Sequence, residues 1–443
     1  MLKQFEAHFK DLGYTEPTAI QTAVYEPLAG DQNVLGLAPT GSGKTVAFTL
    51  PALANLLPGD GTQLIVLEPS QELAIQTSRV MRDWAKLLDL KVVALTGGAN
   101  VKRQTERLKK RPEVIVGTPG RVLNLVSDRK LKLHLVSLLI VDEADDLLTG
   151  DTLDTVRSIA QDMPADVQLG FFSATDTPIL HELDQWFGQS VTRIDVRQED
   201  NTQGTVRHGL LQVGMGKRDQ MLKRMLAMPN FRALVFFKQA NTLRQTATRF
   251  YHEHMSAASL TSDLRQVQRE KALQDFRLGR TRLLLTTDVA ARGLDIPKLP
   301  AVINYDLPTS VNEYVHRVGR TGRMGEPGQV ISLGDDHDLR DLKKLLKETD
   351  YDLVPLYFSG RTLTTEKPVA VTPKQAATVK PSADVTVKTP KATGVAAGEK
   401  PAGKPNTSRA KQEPNPSKKK KHKNRHTKNK GMRKKWRDRD AQQ

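Results

Sequence analysis

One segment near the start of this chain constrains its fold more than any other. Val34–Leu37 is a short apolar run that predicts a buried strand, and the residues from Val46 onward can open a helix. Between them, Gly41 and Gly43 allow backbone N–H groups to turn inward on an anion at the positive end of that helix. The segment therefore predicts an α/β fold with a phosphate site after the first strand.

The loop between this strand and helix has the spacing of a phosphate-binding loop. The ammonium group of Lys44 would reach the terminal phosphates of a nucleotide, and the Thr45 hydroxyl can bind Mg²⁺. Ala38 stands where the general pattern has glycine, and a glycine-rich turn with an incidental lysine is the alternative. The predicted nucleotide-binding residues are Ala38, Pro39, Thr40, Gly41, Ser42, Gly43, Lys44 and Thr45.

A second segment places three carboxylates at the end of another apolar run. Leu138–Val141 predicts a buried parallel strand, and Asp142, Glu143 and Asp145 follow it directly. Taken alone, these acids could form a surface turn. Open α/β sheets bind ligands at the carboxyl ends of their strands, where clustered acids need a compensating cation. Together with the phosphate-binding loop, they predict a nucleoside triphosphatase in which this acidic strand end supplies a second contact to Mg²⁺.

Length and residue usage limit the remaining possibilities. A chain of 443 residues exceeds what one core supports, so two domains and an additional segment are expected. Cysteine is absent, which excludes disulfides and thiolate metal sites and suits a reducing cytosol. We find no N-terminal signal segment and no apolar run near ~18 residues. We therefore expect a cytoplasmic protein that does not span a membrane.

The net charge of +17 is concentrated at one end of the chain. Residues 361–443 contain 23 lysines and arginines and six acidic residues, whereas residues 1–360 contain 44 of each sign. With one aromatic residue, Trp436, this tail cannot form a core, and we predict disorder. A flexible polycation binds phosphate backbones with little sequence preference, and Trp436 could stack on an unpaired base. A solubility tail or an anionic-membrane contact are the alternatives to nucleic acid.

The neutral part of the chain divides into two units, each predicted as a parallel sheet flanked by helices. The polar segment 197–204 is the predicted hinge between them. A helix is predicted over Gln71–Leu87. The candidate strands are Val34–Leu37, Leu64–Leu67, Lys91–Leu95, Glu113–Val116, Leu138–Val141 and Leu169–Phe172 in the first unit, and Leu234–Phe237, Arg282–Thr286, Ala301–Tyr305 and Val330–Leu333 in the second.

The second unit contains a dense basic cluster, in which Arg317, Arg320 and Arg323 recur every three residues. On a helix or tight turn this spacing directs the guanidinium groups to one side, where their planar forks suit phosphate oxygens. An arginine of one unit that reaches phosphates held by the other acts as an arginine finger. A surface network of arginines and carboxylates is the alternative.

Residues 13–333 resemble a bacterial DEAD-box ATP-dependent RNA helicase of helicase superfamily 2, with the motifs in family order. Residues 13–21 are similar to the Q motif, in which Gln21 would read the adenine edge. The resemblance implies two tandem RecA-like parallel-sheet domains and a disordered basic C-terminal tail. The expected boundaries are 1–200 for the ATP-binding domain, 205–360 for the C-terminal helicase domain and 361–443 for the tail.

The same resemblance assigns roles to individual residues. Asp142 would hold Mg²⁺ through water, Glu143 would deprotonate the attacking water, and Asp295 would contact the ribose of ATP. Arg320 and Arg323 would be the arginine fingers. The residues that couple hydrolysis to strand separation would be Asp145, Ser173, Thr175 and His316. The residues that contact the RNA backbone would be Gly97, Gly98, Thr118, Pro119, Gly120, Arg121, Gln266, Arg269 and Thr287.

The predicted activity is local, non-processive unwinding of short RNA duplexes, driven by RNA-stimulated ATP hydrolysis with Mg²⁺. Three alternatives are an ATP-gated RNA clamp, a DNA-directed translocase and a binding module with a decayed ATPase site. The expected partner is structured RNA of little sequence specificity, to which the basic tail adds affinity. Complexes of ribosome assembly or RNA decay both fit, as does relief of cold-stabilised RNA structure.

The chain departs from the family pattern in three places. Gln71 stands where the family usually has arginine, which predicts a weaker RNA contact or a lost salt bridge. Thr261 and Ser262 replace the usual His-Gly before Asp263. The family's aromatic that stacks on adenine is expected further upstream of the Q motif than this sequence extends, and Phe5 and Phe9 lie too close to Gly13 to match it. The affinity of this chain for adenine is therefore expected to be lower than is usual for the family.

Overall fold

The computed structural model describes residues 2–97, 101–200, 202, 204–261, 263–291, 294, 296, 298–323 and 325–368. A first sheet of seven parallel strands has the order β3-β4-β2-β5-β6-β1-β7. The strands are β1 Val34–Leu37, β2 Leu64–Leu67, β3 Val92–Leu95, β4 Val114–Gly117, β5 Leu138–Val141, β6 Gln168–Ser173 and β7 Thr192–Asp195.

Helices cover both faces of this sheet. Because successive strand residues point to opposite faces, Leu64 and Val66 join one apolar core while Ile65 and Leu67 join the other. Both faces are therefore dry, which explains the continuous apolar runs of the central strands. The helices are α1 Lys3–Asp11, α2 Ala19–Ala29, α3 Lys44–Ala54, α4 Gln71–Ala85, α5 Val101–Leu108, α6 Pro119–Ser127, α7 Ala144–Leu147, α8 Gly150–Gln161 and α9 Leu183–Phe187.

A second seven-stranded parallel sheet has the order β10-β11-β9-β12-β13-β8-β14, which is the first order with every strand seven places later. Its strands are β8 Val206–Gln212, β9 Ala233–Phe237, β10 Ala257–Leu260, β11 Leu283–Thr287, β12 Ala301–Asn304, β13 Gly328–Gly334 and β14 Leu353–Pro355. Its helices are α10 Arg218–Leu226, α11 Ala240–His252, α12 Gln266–Arg277, α13 Asp288–Ala291, α14 Val311–Val318 and α15 Asp336–Leu345.

We call the first sheet with its helices the first lobe, and the second sheet with its helices the second lobe. The predicted pair of parallel α/β units is confirmed, and each predicted strand is present with its ends shifted by at most two residues. The predicted helix over Gln71–Leu87 ends at Ala85 and continues as a 3-10 turn over Lys86–Leu88.

Four strands of the two sheets were not predicted, and three of them lie at sheet edges. Apart from buried Leu260, the residues of the outer strands β7, β10 and β14 are exposed or half-buried, so these strands lack the apolar run that marks a central strand. The fourth, β8, lies inside the second sheet, but His208 and Gly209 interrupt its apolar pattern.

A short antiparallel hairpin follows the second sheet. It pairs β15 Tyr357–Ser359 with β16 Thr362–Thr364, and the Arg224 guanidinium lies 3.9 Å from the ring centre of Phe358. Among the residues described above, no helix has both the length and the apolar character needed to cross a bilayer. The predicted disordered tail begins at residue 361, but the structure places residues 362–364 in β16, so its first residues belong to the hairpin. Beyond residue 368, the predicted basic tail lies outside the described residues.

Candidate nucleotide site and lobe interface

The strand order of the first sheet brings three predicted segments together. Strands β5, β6 and β1 are consecutive neighbours. The acidic segment 142–145 follows β5, Ser173–Thr175 ends and follows β6, and the loop 38–43 follows β1. Because parallel strands end at the same edge of a sheet, segments far apart in sequence meet at one carboxyl edge.

The loop after β1 has the form expected for phosphate binding. Gly41 and Gly43 both have φ of 87°, a left-handed conformation that glycine adopts without steric cost. The Lys44 ammonium is buried and donates to the carbonyl oxygens of Ala38 at 2.8 Å and Pro39 at 3.1 Å. The lysine charge therefore lies inside the loop at the start of α3, beside half-buried Thr45.

Gln21 is held by two hydrogen bonds, one within its own segment and one to this loop. Its Oε1 accepts from the Thr18 backbone N–H at 3.1 Å, and its Nε2 donates to the Gly43 carbonyl at 3.4 Å. A Cβ added to Gly43 would lie 2.5 Å from Gln21 Nε2, so only glycine permits this approach. The contact joins the Q-motif segment to the phosphate loop, and the adenine contact of Gln21 stays a prediction.

Glu143 combines backbone strain with an unsatisfied side chain. Its φ is 48°, in the left-handed region, which costs a non-glycine residue roughly 1–2 kcal/mol. Its backbone N–H donates to Asp142 Oδ1 at 2.9 Å. Its Oε2 is buried and has no hydrogen-bond partner in the described part of the chain. Strain and an orphaned buried oxygen at one residue are typical of a functional position.

A buried carboxylate that the sequence analysis missed lies beside this turn. Glu68 is fully buried, and its Oε1 accepts from Thr77 Oγ1 at 2.5 Å. Burial, followed by the negative charge of Asp142, raises the pKa of Glu68 well above its usual range. A signal was available, because Glu68 follows the apolar run Leu64–Leu67 in the way that Asp142 follows Leu138–Val141.

The electrostatics of the cluster fit a bound divalent cation. Burial and the charge of Glu143 raise the pKa of Asp142 to about 7, although the nearby Lys44 ammonium opposes the shift. One ammonium group does not compensate the clustered carboxylates of Glu68, Asp142 and Glu143. Carboxylate and hydroxyl oxygens are the ligands that Mg²⁺ prefers, so Asp142 and Thr45 suit this ion chemically.

Asp145 connects three segments from two lobes. Its Oδ2 accepts a hydrogen bond from Thr175 Oγ1 and lies 3.0 Å from His316 Nε2 of the second lobe. Ser173 Oγ in turn donates to the Thr175 carbonyl at 2.6 Å. Burial would raise the pKa of Asp145, but its hydrogen bond and attraction to His316 and its bond with Thr175 lower it overall. The four predicted coupling residues therefore form one connected network.

His316 carries the opposite shift. Burial would lower its pKa, but the hydrogen bond with Asp145 and the charges of Glu143, Asp145 and Asp146 raise it above the usual value. Ligand atoms of Glu143, Asp145 and His316 lie within 4.8 Å of one another. The direct pairing of His316 with Asp145 accounts for this proximity, so we assign no metal to these three residues.

The residues after α14 lie against the phosphate loop of the first lobe. A Cβ added to Gly319 would lie 1.8 Å from Thr40 Oγ1, and one added to Gly41 would lie 3.2 Å from Arg323 Cγ. Arg323 Nε donates to the Gly319 carbonyl at 2.7 Å, which closes the turn. Arg320 is buried and donates to backbone carbonyls of its own lobe. The second lobe therefore presents Arg323 at the phosphate loop.

Arg317 does not share that direction, so the expectation that three guanidinium groups point to one side was wrong. Helix α14 continues to Val318, which turns Arg317 into the interior of the second lobe, whereas Arg320 and Arg323 lie beyond the helix. Arg317 is buried and pairs with Asp288 and Glu313. The alternative of an arginine–carboxylate network is correct for this one residue.

Comparison with known proteins agrees with this geometry. The DEAD/DEAH box helicase family model matches residues 18–183, and the helicase conserved C-terminal domain model matches residues 217–325. The protein described as probable ATP-dependent RNA helicase YfmL of Bacillus subtilis is 36% identical over 355 residues, which cover 80% of this chain and 94% of YfmL. The chain belongs to the DEAD-box family of ATP-dependent RNA helicases.

Other similar proteins agree with the DEAD-box assignment. DEAD-box ATP-dependent RNA helicase CshC of Bacillus cereus is 34% identical, with 76% of this chain and 86% of CshC covered. ATP-dependent RNA helicase DeaD of Escherichia coli is 35% identical, but the chain spans only 55% of its length. The solved structure of S. cerevisiae Dbp5 bound to RNA and ADP BeF3 is 27% identical, with a TM-score of 0.72, 80% of this chain and 94% of Dbp5 covered. The fold is that of two tandem RecA-like domains.

The predicted RNA-contacting residues of this DEAD-box chain lie at the carboxyl ends of strands in both lobes. Gly97 follows β3, residues 118–121 follow β4 and open α6, and Thr287 ends β11. Gln266 begins α12, and Gly98 lies outside the described residues, as does the predicted ribose contact Asp295. Their contacts with RNA and ribose stay predictions.

Arg269 makes a contact that the sequence analysis did not anticipate. Its Nε lies 2.7 Å from Glu72 Oε1 of the first lobe. Its other nitrogens donate to the carbonyls of Thr261 at 2.7 Å and Ala290 at 3.2 Å. In this structure the buried guanidinium bridges the lobes, and a contact with RNA stays a prediction.

Two departures from the family pattern have a structural account. A Cβ added to Gly97 would lie 3.0 Å from Gln71 Nε2. The Gln71 amide therefore packs on a segment that is predicted to contact RNA. Phe5 and Phe9 are buried, and the ring of Phe5 packs edge-on against Trp84 with 5.7 Å between the ring centres. These two aromatic rings belong to the core of the first lobe and are unavailable to adenine.

Proposed function

We propose that this protein is an RNA helicase that uses ATP hydrolysis to separate short RNA duplexes locally, without processive translocation. One observation carries the proposal: the phosphate loop and the Asp142–Asp145 turn of one lobe meet Arg323 and His316 of the other. We call the space between these two sets of residues the cleft. A nucleotide bound in it would contact both lobes. Hydrolysis would therefore be linked to the relative position of the lobes, which is the requirement for converting it into strain on bound RNA.

Different residues around the cleft would have different roles in ATP hydrolysis. Lys44 would bind the terminal phosphates, while Thr45 and Asp142 would hold Mg²⁺, which neutralises phosphate charge. Glu143 would accept the proton of the attacking water, because its buried Oε2 is unpaired in the described structure. Arg323, with Arg320, would stabilise the charge that develops on the transferred phosphoryl group.

The RNA would bind across the carboxyl edges of both sheets. Residues 97–98, 118–121 and 287 supply glycines, threonine hydroxyls and loop N–H groups, which suit phosphates and sugars rather than bases. We propose residues 1–200 as the ATP-binding domain and 205–360 as the C-terminal helicase domain. The Asp145 network would report the nucleotide state to His316, and thereby set the lobe positions that bend the RNA strand.

The decisive experiment is strand separation on a short RNA duplex with a single-stranded extension. We expect release of the shorter strand with ATP, and ATPase stimulation by RNA well above that by DNA of the same sequence. RNA-stimulated ATPase without strand release would favour an ATP-gated clamp. Equal stimulation by DNA would favour a DNA-directed translocase.

The His316–Asp145 pair predicts a pH dependence of lobe closure. His316 has a raised pKa, so its contribution is full below its ordinary pKa of about 6.5 and is lost as pH rises through the raised value. Asp145 has a lowered pKa, so its contribution persists well into acid. We expect the KM for RNA in the ATPase reaction to rise on the alkaline side.

The variant His316→Gln tests this prediction, because glutamine retains a hydrogen-bond donor but cannot titrate. Its KM for RNA should be higher at neutral pH and should lose most of the alkaline dependence. If the alkaline rise is the same in wild type and variant, another group titrates and the His316–Asp145 pair does not control closure.

The basic tail is proposed to add sequence-independent RNA affinity. Removal of residues 369–443 leaves the hairpin of β15 and β16 in place and eliminates 21 positive charges, so it should weaken RNA binding at low salt and flatten its salt dependence. Affinity for RNA measured between about 50 and 200 mM salt in the full and shortened chains checks this expectation. Equal affinities and equal slopes would refute a binding role for the tail.

A further inference from the structure

A basic cavity lies at the edge of the first sheet opposite the nucleotide site. It has a volume of about 380 Å³ and is lined by Gly61, Thr62, Leu108, Arg111 and six residues of the segment 129–135. These segments precede β2, β4 and β5, so the cavity lies at the amino ends of strands whose carboxyl ends face the cleft. Four strand residues rise about 13 Å, which separates the two sites.

The cavity wall contains four cations, and three of them have no acidic partner in the described residues. Arg111, Arg129, Lys130 and Lys132 are exposed. Lys130 pairs with Asp128 at 2.8 Å, and Arg111 donates to the backbone carbonyl of Asp60 at 3.0 Å. Within the described ranges, Arg111, Arg129 and Lys132 have no carboxylate within 4 Å. Because residues 1–360 are neutral in sum, this concentration of positive charge is a local feature.

Two of these arginines occupy positions that favour glycine. Arg111 has φ of 50° and Arg129 has φ of 56°, where each closes the turn after a helix. The left-handed conformation costs a non-glycine residue roughly 1–2 kcal/mol. A cation near a helix C-terminus recovers typically only ~0.3–1 kcal/mol. Local helix electrostatics therefore do not account for keeping both guanidinium groups at this cavity.

We propose that this cavity binds the phosphate backbone of an RNA segment that lies outside the cleft. The cations are arginines and lysines, and the wall has no Phe, Tyr or Trp, which suits phosphates rather than stacked bases. The basic tail of this chain is excluded as the occupant because it carries charge of the same sign. RNA is the polyanion that the proposed function already brings to the protein, and the inference rests on that function.

A second site on the outer edge of the first lobe would hold long or structured RNA near the cleft. Such tethering raises the local concentration of RNA at the cleft without any change in the cleft itself. It would favour substrates longer than the cleft alone accommodates, which is a form of selection by RNA size.

The test is the double variant Arg111→Gly/Arg129→Gly in the full chain, compared by affinity for RNAs of about 10 and 40 nucleotides. Glycine relieves the backbone strain, so the melting temperature should not fall. For the longer RNA at low salt we expect affinity to fall roughly tenfold, and the slope of log affinity against log salt to fall by about 1.4, at about 0.7 per lost phosphate contact. Affinity for the shorter RNA and its stimulation of ATPase should be unchanged.

The control variant Lys343→Gln/Lys344→Gln removes two exposed charges from α15 of the second lobe and should leave the longer RNA's affinity nearly unchanged. Equal losses in the two variants, or no loss in the glycine variant, would overturn the proposal. Binding of poly-glutamate that the longer RNA does not displace would assign the cavity to an acidic protein instead. If the shorter RNA does not stimulate ATPase even in the wild type, the proposed function fails rather than this site.

Discussion

The variant Arg323→Ala is expected to bind ATP with nearly normal affinity and to hydrolyse it about 10³-fold more slowly. Arginine fingers contribute roughly 10³–10⁵ to the rate of phosphoryl transfer, and the lower end applies because Arg320 remains. The structure motivates the choice of Arg323, since its side chain lies against Gly41 of the phosphate loop. A loss of 10³ corresponds to about 4 kcal/mol of transition-state stabilisation.

The measurement separates nucleotide binding, by titration with a fluorescent ATP analogue, from RNA-stimulated turnover. Arg340→Ala is the matched control, because Arg340 is exposed on α15 and its Nε donates to the backbone carbonyl of Asp336 in its own helix. Arg323→Lys should recover little, since an ammonium group lacks the planar fork of guanidinium. If kcat falls by less than tenfold in Arg323→Ala, then Arg323 is a contact between the lobes and not an arginine finger.

The central fold was predictable from sequence because parallel strands covered on both faces are continuously apolar. Leu64–Leu67 and Leu138–Val141 are such strands, and each is followed by a carboxylate of the site. The edge strands β7, β10 and β14 have mixed burial and therefore no comparable pattern. The sequence also did not reveal that both sheets share one strand order, because order depends on crossovers and not on local pattern.

For the site, local motifs predicted which segments meet but not how each side chain points. The three-residue spacing predicts that the guanidinium groups of Arg317, Arg320 and Arg323 point to the same side only if all three residues lie on one continuous helix or turn. The end of α14 at Val318 divides the set, and Arg317 becomes a buried structural residue. The Arg269–Glu72 pair was not predictable either, because it joins two lobes whose approach no single motif encodes.

The variant Glu143→Gln should abolish most turnover and leave the fold at least as stable as in the wild type. A positioned general base contributes about 10²–10⁴ to the rate, and an amide cannot accept the proton. The size of the side chain is unchanged, so packing is preserved. The charge of Glu143 is a cause of the raised pKa of both Glu68 and Asp142, so its removal relieves repulsion among buried carboxylates.

Activity and stability should therefore move in opposite directions, which distinguishes a catalytic role from a structural one. If Glu143 served the fold, its neutralisation would lower both the melting temperature and kcat. The control is Glu348→Gln, because the exposed Glu348 lies beyond the end of α15, and this variant should alter neither quantity. Retained RNA-stimulated ATPase in Glu143→Gln would remove Glu143 as the base. The strained φ of 48° and the unpaired Oε2 would then need another explanation, since both are costs that the fold retains at this residue.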